Sequence, residues 1–326
     1  MLVAVFVLGL IFVFLNGLND SSNLVATVIS TRALNPRAAL VTTAVGEFLG
    51  PFLFGMAVAR ALGVDLLVSS SLELIALAAG LAGAIVWVVF TVRMGIPSSS
   101  SHALVGGLVG GAWAASGPAA IQAPGLLKVL LALLISPPIG LIAGFVSTKL
   151  IFLLFVRARP SVNRLFQRLQ VVTSFFLALG HGSNDGQKTM GVLALALLVA
   201  GETNEFTLPL WLIIVVAGAI ALGTTTGGWG LIRTLGGRIM KVRPVHGFAS
   251  QAGGAAVMLS AAIYGGPVSL TQVVSSSLMG AGAAQRVKMV RWAVGREMLI
   301  AWLLTIPASA ALSALFYLLI SGLDSN

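Results

Sequence analysis

The sequence predicts an all-α polytopic membrane protein, an inverted-topology repeat with broken or re-entrant helices and 10–12 transmembrane segments. Three observations point there. The 326 residues are 58% hydrophobic and only 9% charged, with a mean hydropathy of +1.03, whereas a soluble domain carries about a quarter charged residues. Apolar runs of roughly twenty residues recur, the length of a membrane helix, while a β-barrel would show weak alternating segments of about ten. Two motif pairs then repeat in the same order along the chain.

The chain reads as ten crossings. The first, 1–33, is apolar from Leu2, with neither a basic leader nor a small-residue cleavage site, so it is expected to span the membrane rather than act as a signal peptide. It exits at Arg32 and Arg37. The second, 38–60, leads past Arg60 to Asp65, and the third, 74–92, runs from Glu73 to Arg93. The fourth, 96–114, and the fifth, 127–156, follow, the fifth entering at Lys128 and leaving at Arg157 and Arg159. Pro137-Pro138 is expected to break it, since proline removes a helical hydrogen bond. A linker at 157–169 adds Arg164 and Arg168. The sixth crossing, 170–200, exits at Glu202 and Glu205, and the seventh, 208–232, at Arg233, Arg238, Lys241 and Arg243. The last three are 248–264, 268–284 and 297–320, with Arg286, Lys288, Arg291 and Arg296 before the tenth and Asp324 after it.

Nearly all bases fall on one side and most acids on the other. The basic side is therefore cytoplasmic and both termini external, in a multi-pass protein of the cell membrane. The same asymmetry accounts for the net charge of +10 without a nucleic-acid partner. With no cysteine, disulfides and thiolate metal sites are excluded. Residues 1–156 and 170–326 form two halves, each with an odd number of crossings, so they have opposite topology.

The motifs agree with this division. NGLNDSSN at 16–23 and GHGSNDGQK at 180–188 place Asn19-Asp20 and Asn184-Asp185 165 residues apart, with Gly17 matching Gly182. GIPSSSSHALVGGLVG at 95–110 and GGPVSLTQVVSSSLMG at 265–280 lie 170 residues apart, and match Pro97 to Pro267, Ser99 to Ser269, Ser101 to Thr271 and Gly110 to Gly280. Inverted repeats are a signature of secondary transporters, whose sites lie near the midplane.

Asp20, Glu47 and Asp185 sit well inside apolar spans, where a charge costs at least about 2.5–3.5 kcal/mol and needs a partner or a purpose. Around the aspartates, Asn19, Ser21, Ser22, Asn23 and Asn184 offer neutral oxygens, and Gly17 and Gly182 are expected to loosen the helices into two half-helix junctions. Such a donor set suits a hard cation. Lys188, one turn after Asp185, fits an internal ion pair equally well. In the second motif pair, Pro97 and Pro267 fit a first helical turn, and the hydroxyls that follow fit either ordinary capping or an oxyanion held at a helix N-terminus. Carboxylates and an oxyanion share a dry site only with cations between them. This favours a cation-coupled anion symporter over an anion channel.

These residues resemble the inorganic phosphate transporter (PiT) family over nearly the whole chain. GLNDSSN and GHGSNDGQK look like its paired signature, and the two serine motifs look like its Pro-Val-Ser-Thr-Thr-His segments. The resemblance implies sodium- or proton-coupled phosphate uptake. It carries over Asp20, Asn23 and Asp185 as cation ligands and Ser99, Ser100, Ser101, Ser269 and Thr271 as phosphate ligands, and Glu47 resembles a family-typical acid. Asn19, Asn184 and Glu47 join the sodium set, and Gln187 and Ser275 the phosphate set. The motif reads Ser98-Ser-Ser-Ser-His102 in the first half and Val268-Ser-Leu-Thr-Gln272 in the second, so Leu270 and Gln272 depart from the pattern.

The expected function is secondary symport of inorganic phosphate with sodium by alternating access. No enzyme activity or cofactor is expected, and sodium enters as a co-transported ligand. The partners are phosphate, sodium and the lipid bilayer, with assembly as a homodimer. A proton-coupled phosphate permease or a sulfate or other oxyanion permease of the same fold is the alternative. An intramembrane serine hydrolase using Ser101, His102 and His181 is a remote one. A nucleotide-driven pump lacks its Gly-rich phosphate loop. Two duplicated aspartates imply two cation sites, hence a sodium dependence with a Hill coefficient above one and a response to membrane potential. Neutralising either aspartate is expected to abolish coupled uptake with little effect on folding.

Overall fold

The computed structural model describes residues 1–227 and 239–324. The end of the seventh expected span at 228–232, Arg233, Arg238 and Asn326 lie outside the described residues. Within them the chain is helical, apart from loops, short 3-10 turns and one isolated bridge between Leu67 and Ile121. The helices are α1 (Leu2–Ser30), α2 (Pro36–Leu53), α3 (Ala57–Gly63), α4 (Leu74–Arg93), α5 (Ser100–Ser116), α6 (Ala123–Leu154), α7 (Val162–His181), α8 (Gln187–Val199), α9 (Leu210–Thr226), α10 (Pro244–Tyr264), α11 (Leu270–Gln285) and α12 (Trp292–Asp324).

Each of the ten expected spans meets a helix or a pair of helices. By length and apolarity α1, α4, α6 and α12 can each cross a membrane, as can α2 and α3 taken together. α6 shows why these are membrane helices. Its buried positions, Gly125, Val129, Leu133, Ser136, Gly140, Gly144, Thr148 and Ile151, recur every three or four residues and form one face on which five of the eight side chains are small (Gly, Ser or Thr). Leu127, Leu131, Leu134, Ile135, Ile142 and Leu150 point outward. Large apolar groups outside and small ones between helices is the pattern of packing in lipid.

Three expected breaks differ from what forms. α6 runs unbroken through Pro137 and Pro138. Pro137 cannot donate to the Leu133 carbonyl one turn back, and the Ser136 hydroxyl donates to that carbonyl instead, at 3.1 Å, a local repair that lets membrane helices keep proline. α1 likewise passes through NGLND without unwinding. Gly17 serves close approach there, since a Cβ on it would fall 2.1 Å from the Ile220 carbonyl oxygen of α9. At GSNDG the helix does not break into half-helices but widens into a five-residue π turn, Gly182–Gly186, joining α7 to α8. The sharp break lies elsewhere. α2 and α3 meet at 77°, with Gly55 in the left-handed region at φ +64°, a conformation glycine adopts without steric cost.

Two apolar cores bracket a polar layer. One gathers Val5, Phe12 and Val13 of α1 with α4, α5, α8 and α9. The other gathers Leu24, Val25 and Val28 of α1 with Leu177 and Ala178 of α7 and Leu270 and Val273 of α11. Residues 16–23 of α1 and 181–188, the π turn with the adjoining ends of α7 and α8, lie between them. On the expected outer side, Lys128 pairs with Asp65 at 3.5 Å, so the loop before α4 meets the first turns of α6.

Candidate functional site

The polar layer is dry: Asp20 and Asp185 are each 1% exposed and Glu47 is fully covered. Every polar group in it therefore needs a partner within the protein.

Asp20 takes its partners from both serine motifs. Its Oδ1 accepts from the Thr271 hydroxyl at 2.8 Å and from Asn23 Nδ2 at 3.0 Å, and Asn23 Nδ2 also donates to Thr271 Oγ1 at 3.1 Å. Its Oδ2 accepts from the Ser100 hydroxyl at 3.3 Å, and that hydroxyl also reaches Asn16 Oδ1 at 2.8 Å.

Asp185 is held in the same way from the opposite direction. Its Oδ1 accepts from the Ser101 hydroxyl at 3.0 Å and from Lys188 Nζ at 2.9 Å. Lys188 also donates to Ser101 Oγ at 2.6 Å and to the Val268 carbonyl. The internal pair that the spacing allowed is formed.

His181 ties the acids together. Its Nδ1 lies 2.6 Å from Glu47 Oε1, and its Nε2 lies 3.5 Å from both Asp20 Oδ2 and Asp185 Oδ2. Potential ligand atoms of Asp20, His181 and Asp185 all fall within 4.8 Å of one another, close enough to share one cation. Two of them, His181 Nε2 and Asp185 Oδ2, are buried without a hydrogen bond, so the Asp185 carboxylate has an unused acceptor oxygen there.

The serine motifs begin helices, as their residues suggest, but the prolines stand outside. Pro97 and Pro267 lie in extended segments before the caps, not in a first helical turn. Ser99 caps α5 by accepting from His102 N, and Ser269 caps α11 by accepting from Gln272 N. The two caps touch, Ser99 Oγ donating to Ser269 Oγ at 2.8 Å. Hence two helix N-termini, each with free N–H groups and a partial positive charge, converge beside the carboxylates.

Most expected site residues converge here: Asp20, Asn23, Glu47 and Asp185 with Ser99, Ser100, Ser101, Ser269 and Thr271. Ser275 is buried one turn further along α11, and Asn19 is half-buried on α1. Two others face elsewhere. Gln187 Oε1 accepts from Val58 N and Ala59 N at 3.1 and 3.3 Å, capping α3. Asn184 grips the segment before α11, accepting from Val268 N at 3.1 Å and donating to the Gly266 carbonyl at 2.9 Å. Asn16 and His181 also stand in this cluster and were not among the expected site residues. Asn16 has the spacing to find it, one turn before Asp20. His181 stands four residues before Asp185, but its contact with Glu47 is tertiary and no local pattern announces it. A hydrolase relay does not form: His102 Nδ1 meets Ser99 at 2.8 Å while its other nitrogen faces Gln272 at 3.4 Å, not a carboxylate.

Comparison with known proteins bears on the chain as a whole. A family model described as "Phosphate transporter family" matches residues 16–313. The chain is 42% identical to a probable low-affinity inorganic phosphate transporter of Rhizobium meliloti (strain 1021), over 97% of this chain and 96% of that one. It is 40% identical to a protein of the same description from Bacillus subtilis (strain 168), over 98% and 97%. Among solved structures it resembles one entitled "The sodium-dependent phosphate transporter", with a TM-score of 0.90, 24% identity and 98% of both chains covered, a likeness in fold. The chain therefore belongs to the phosphate transporter family, as a multi-pass membrane transporter and not an enzyme.

Proposed function

We propose that the chain imports inorganic phosphate together with sodium by alternating access, through two inverted halves. One observation carries this reading: each carboxylate accepts a hydroxyl from the serine motif of the other half, Thr271 on Asp20 at 2.8 Å and Ser101 on Asp185 at 3.0 Å. Residues matched between the halves also meet each other, Ser99 with Ser269 and His102 with Gln272, as positions beside a pseudo-twofold axis do.

The contact supplies a coupling mechanism. A hydroxyl has one proton to donate. While Thr271 gives it to Asp20, it cannot give it to phosphate. Sodium arriving on Asp20 replaces that hydrogen bond and takes the lone pairs of Thr271, which turns the proton toward the anion between the two helix N-termini. Sodium and phosphate then raise each other's affinity, as linkage requires. Because Asp20 and Asp185 are buried, neither ligand reaches them until the helices part, and opening toward one face at a time gives alternating access. The loop charges orient the molecule with both termini external. A reporter fused after Asn326 is expected to read as external, and a cytoplasmic reading would reverse the topology.

Two groups of hydroxyls now have separate expectations. Ser101→Ala and Thr271→Ala should raise the half-saturating phosphate concentration roughly ten- to a hundredfold, a hydrogen bond to a charged ligand being worth about 1.5–3 kcal/mol. Ser99→Ala removes a cap and should lower stability by about 1 kcal/mol. Uptake kinetics and thermal unfolding measured on the same variants check both.

Uptake of labelled phosphate into proteoliposomes tests the whole reading. It is expected to require an inward sodium gradient and to resist competition by sulfate. A second reading rests on His181, set among three carboxylates as a proton-binding group would be. Uptake driven by a proton gradient without sodium would select it and reject sodium.

A further inference from the structure

The two carboxylate sites share an aspartate that accepts a hydroxyl from the other half, and differ in the charge of the nitrogen that completes each triangle. Asn23 follows Asp20 by three residues, and Lys188 follows Asp185 by three. Asn23 Nδ2 bonds Asp20 Oδ1 and the Thr271 hydroxyl, at 3.0 and 3.1 Å. Lys188 Nζ bonds Asp185 Oδ1 and the Ser101 hydroxyl, at 2.9 and 2.6 Å. Both triangles of acid, hydroxyl and nitrogen are buried. One has a neutral amide where the other has an ammonium.

The surroundings of that ammonium resemble an ion's shell. Its three donors all reach oxygens: a carboxylate of Asp185, the hydroxyl of Ser101 and the carbonyl of Val268. Carboxylate, hydroxyl and carbonyl together are the donor set of a hard cation. Nζ occupies its centre, and a second positive charge in the same shell would face it at close range with little solvent to screen the repulsion.

Charge counting agrees. Lys188 balances Asp185. Glu47 and His181 balance each other with two protons between them, one across their 2.6 Å contact and one on His181 Nε2, which faces Asp20 and Asp185. Asp20 alone keeps an uncompensated negative charge.

We infer that Lys188 is a tethered cation standing in the second of the two carboxylate sites, so that each chain takes up one exchangeable cation, at Asp20. This rests on the sodium reading of the two halves, and replaces the expectation of two sodium ions and a Hill coefficient above one.

The test is equilibrium binding of radioactive sodium to the purified full chain in detergent with saturating phosphate. Wild type should bind one sodium per chain. Lys188→Asn copies the first site into the second and should bind two, with the Hill coefficient of sodium-dependent uptake rising from about one toward two. Asn23→Lys is the converse, copying the second site into the first, and should bind none. It keeps the idea testable if Lys188→Asn does not fold, which size-exclusion chromatography reports. With a wild type that binds one sodium, the inference is overturned if Lys188→Asn binds no more or if Asn23→Lys binds as much; a wild type that already binds two overturns it as well. Failure of the sodium reading itself looks different: wild type, Lys188→Asn and Asn23→Lys all bind none.

Discussion

Asp20→Asn is expected to lower sodium-driven phosphate uptake by about a hundredfold or more while the protein still folds. The carboxamide oxygen can keep accepting from Thr271 and Asn23, which bond Oδ1 at 2.8 and 3.0 Å, so the packing of α1 against α11 survives. What disappears is the uncompensated charge. Removing one partner of a buried ionic pair costs about 3–5 kcal/mol, and every 1.4 kcal/mol is roughly tenfold in affinity. Asp185→Asn differs, contrary to the equal treatment the duplicated sequence suggests. It leaves Lys188, 2% exposed, without its counter-charge, so it should lower thermal stability as well as uptake. Initial rates in proteoliposomes, read beside thermal unfolding of both variants, separate the two. Equal stability losses would show that Lys188 does not depend on Asp185.

Gly182→Ala is expected to impair transport without touching any polar ligand. A Cβ there would fall 2.0 Å from the Glu47 carbonyl oxygen and 2.5 Å from its Cα, so α2 must move away from the π turn. Overpacking of this kind costs about 1–3 kcal/mol. The displaced residue is Glu47 itself, whose carboxylate holds His181. A tenfold or greater loss of uptake, with a lowered unfolding temperature, is the expected outcome. Wild-type rates and stability would show that the close approach is dispensable. Gly186→Ala is the control, since its nearest foreign atom would be 3.4 Å away, an ordinary contact.

The helices were legible because lipid imposes a simple rule: long apolar runs must close their own backbone hydrogen bonds. Each of the ten expected spans meets a helix, and the caps at Ser99 and Ser269 fall where hydroxyl-rich segments precede apolar ones. Breaks were harder to read. Proline and glycine report what a backbone can do alone, whereas Pro137 is repaired by Ser136 and Gly17 is spent on contact with α9. The bend at Gly55 stands in a segment with no polar motif to mark it. At the site, Asp20, Asp185 and the hydroxyls of Ser101 and Thr271 stood out because polar groups are costly in apolar spans. Gln187 and Asn184 looked like ligands for the same reason, but they satisfy backbone groups of α3 and of the segment before α11. His181 was overlooked as a member of the cluster because its position between Glu47, Asp20 and Asp185 exists only once α2, α1 and α7 are packed.

The central claim is that Asp20 and phosphate compete for the same hydroxyl proton, and that sodium on Asp20 releases it to phosphate. Binding of labelled phosphate to the purified protein, titrated with and without saturating sodium, tests it most directly. Couplings between linked sites typically amount to about 1–3 kcal/mol. Sodium should therefore tighten phosphate binding by roughly five- to a hundredfold in the wild type and leave Asp20→Asn unchanged. Equal phosphate affinity with and without sodium in the wild type would contradict the account.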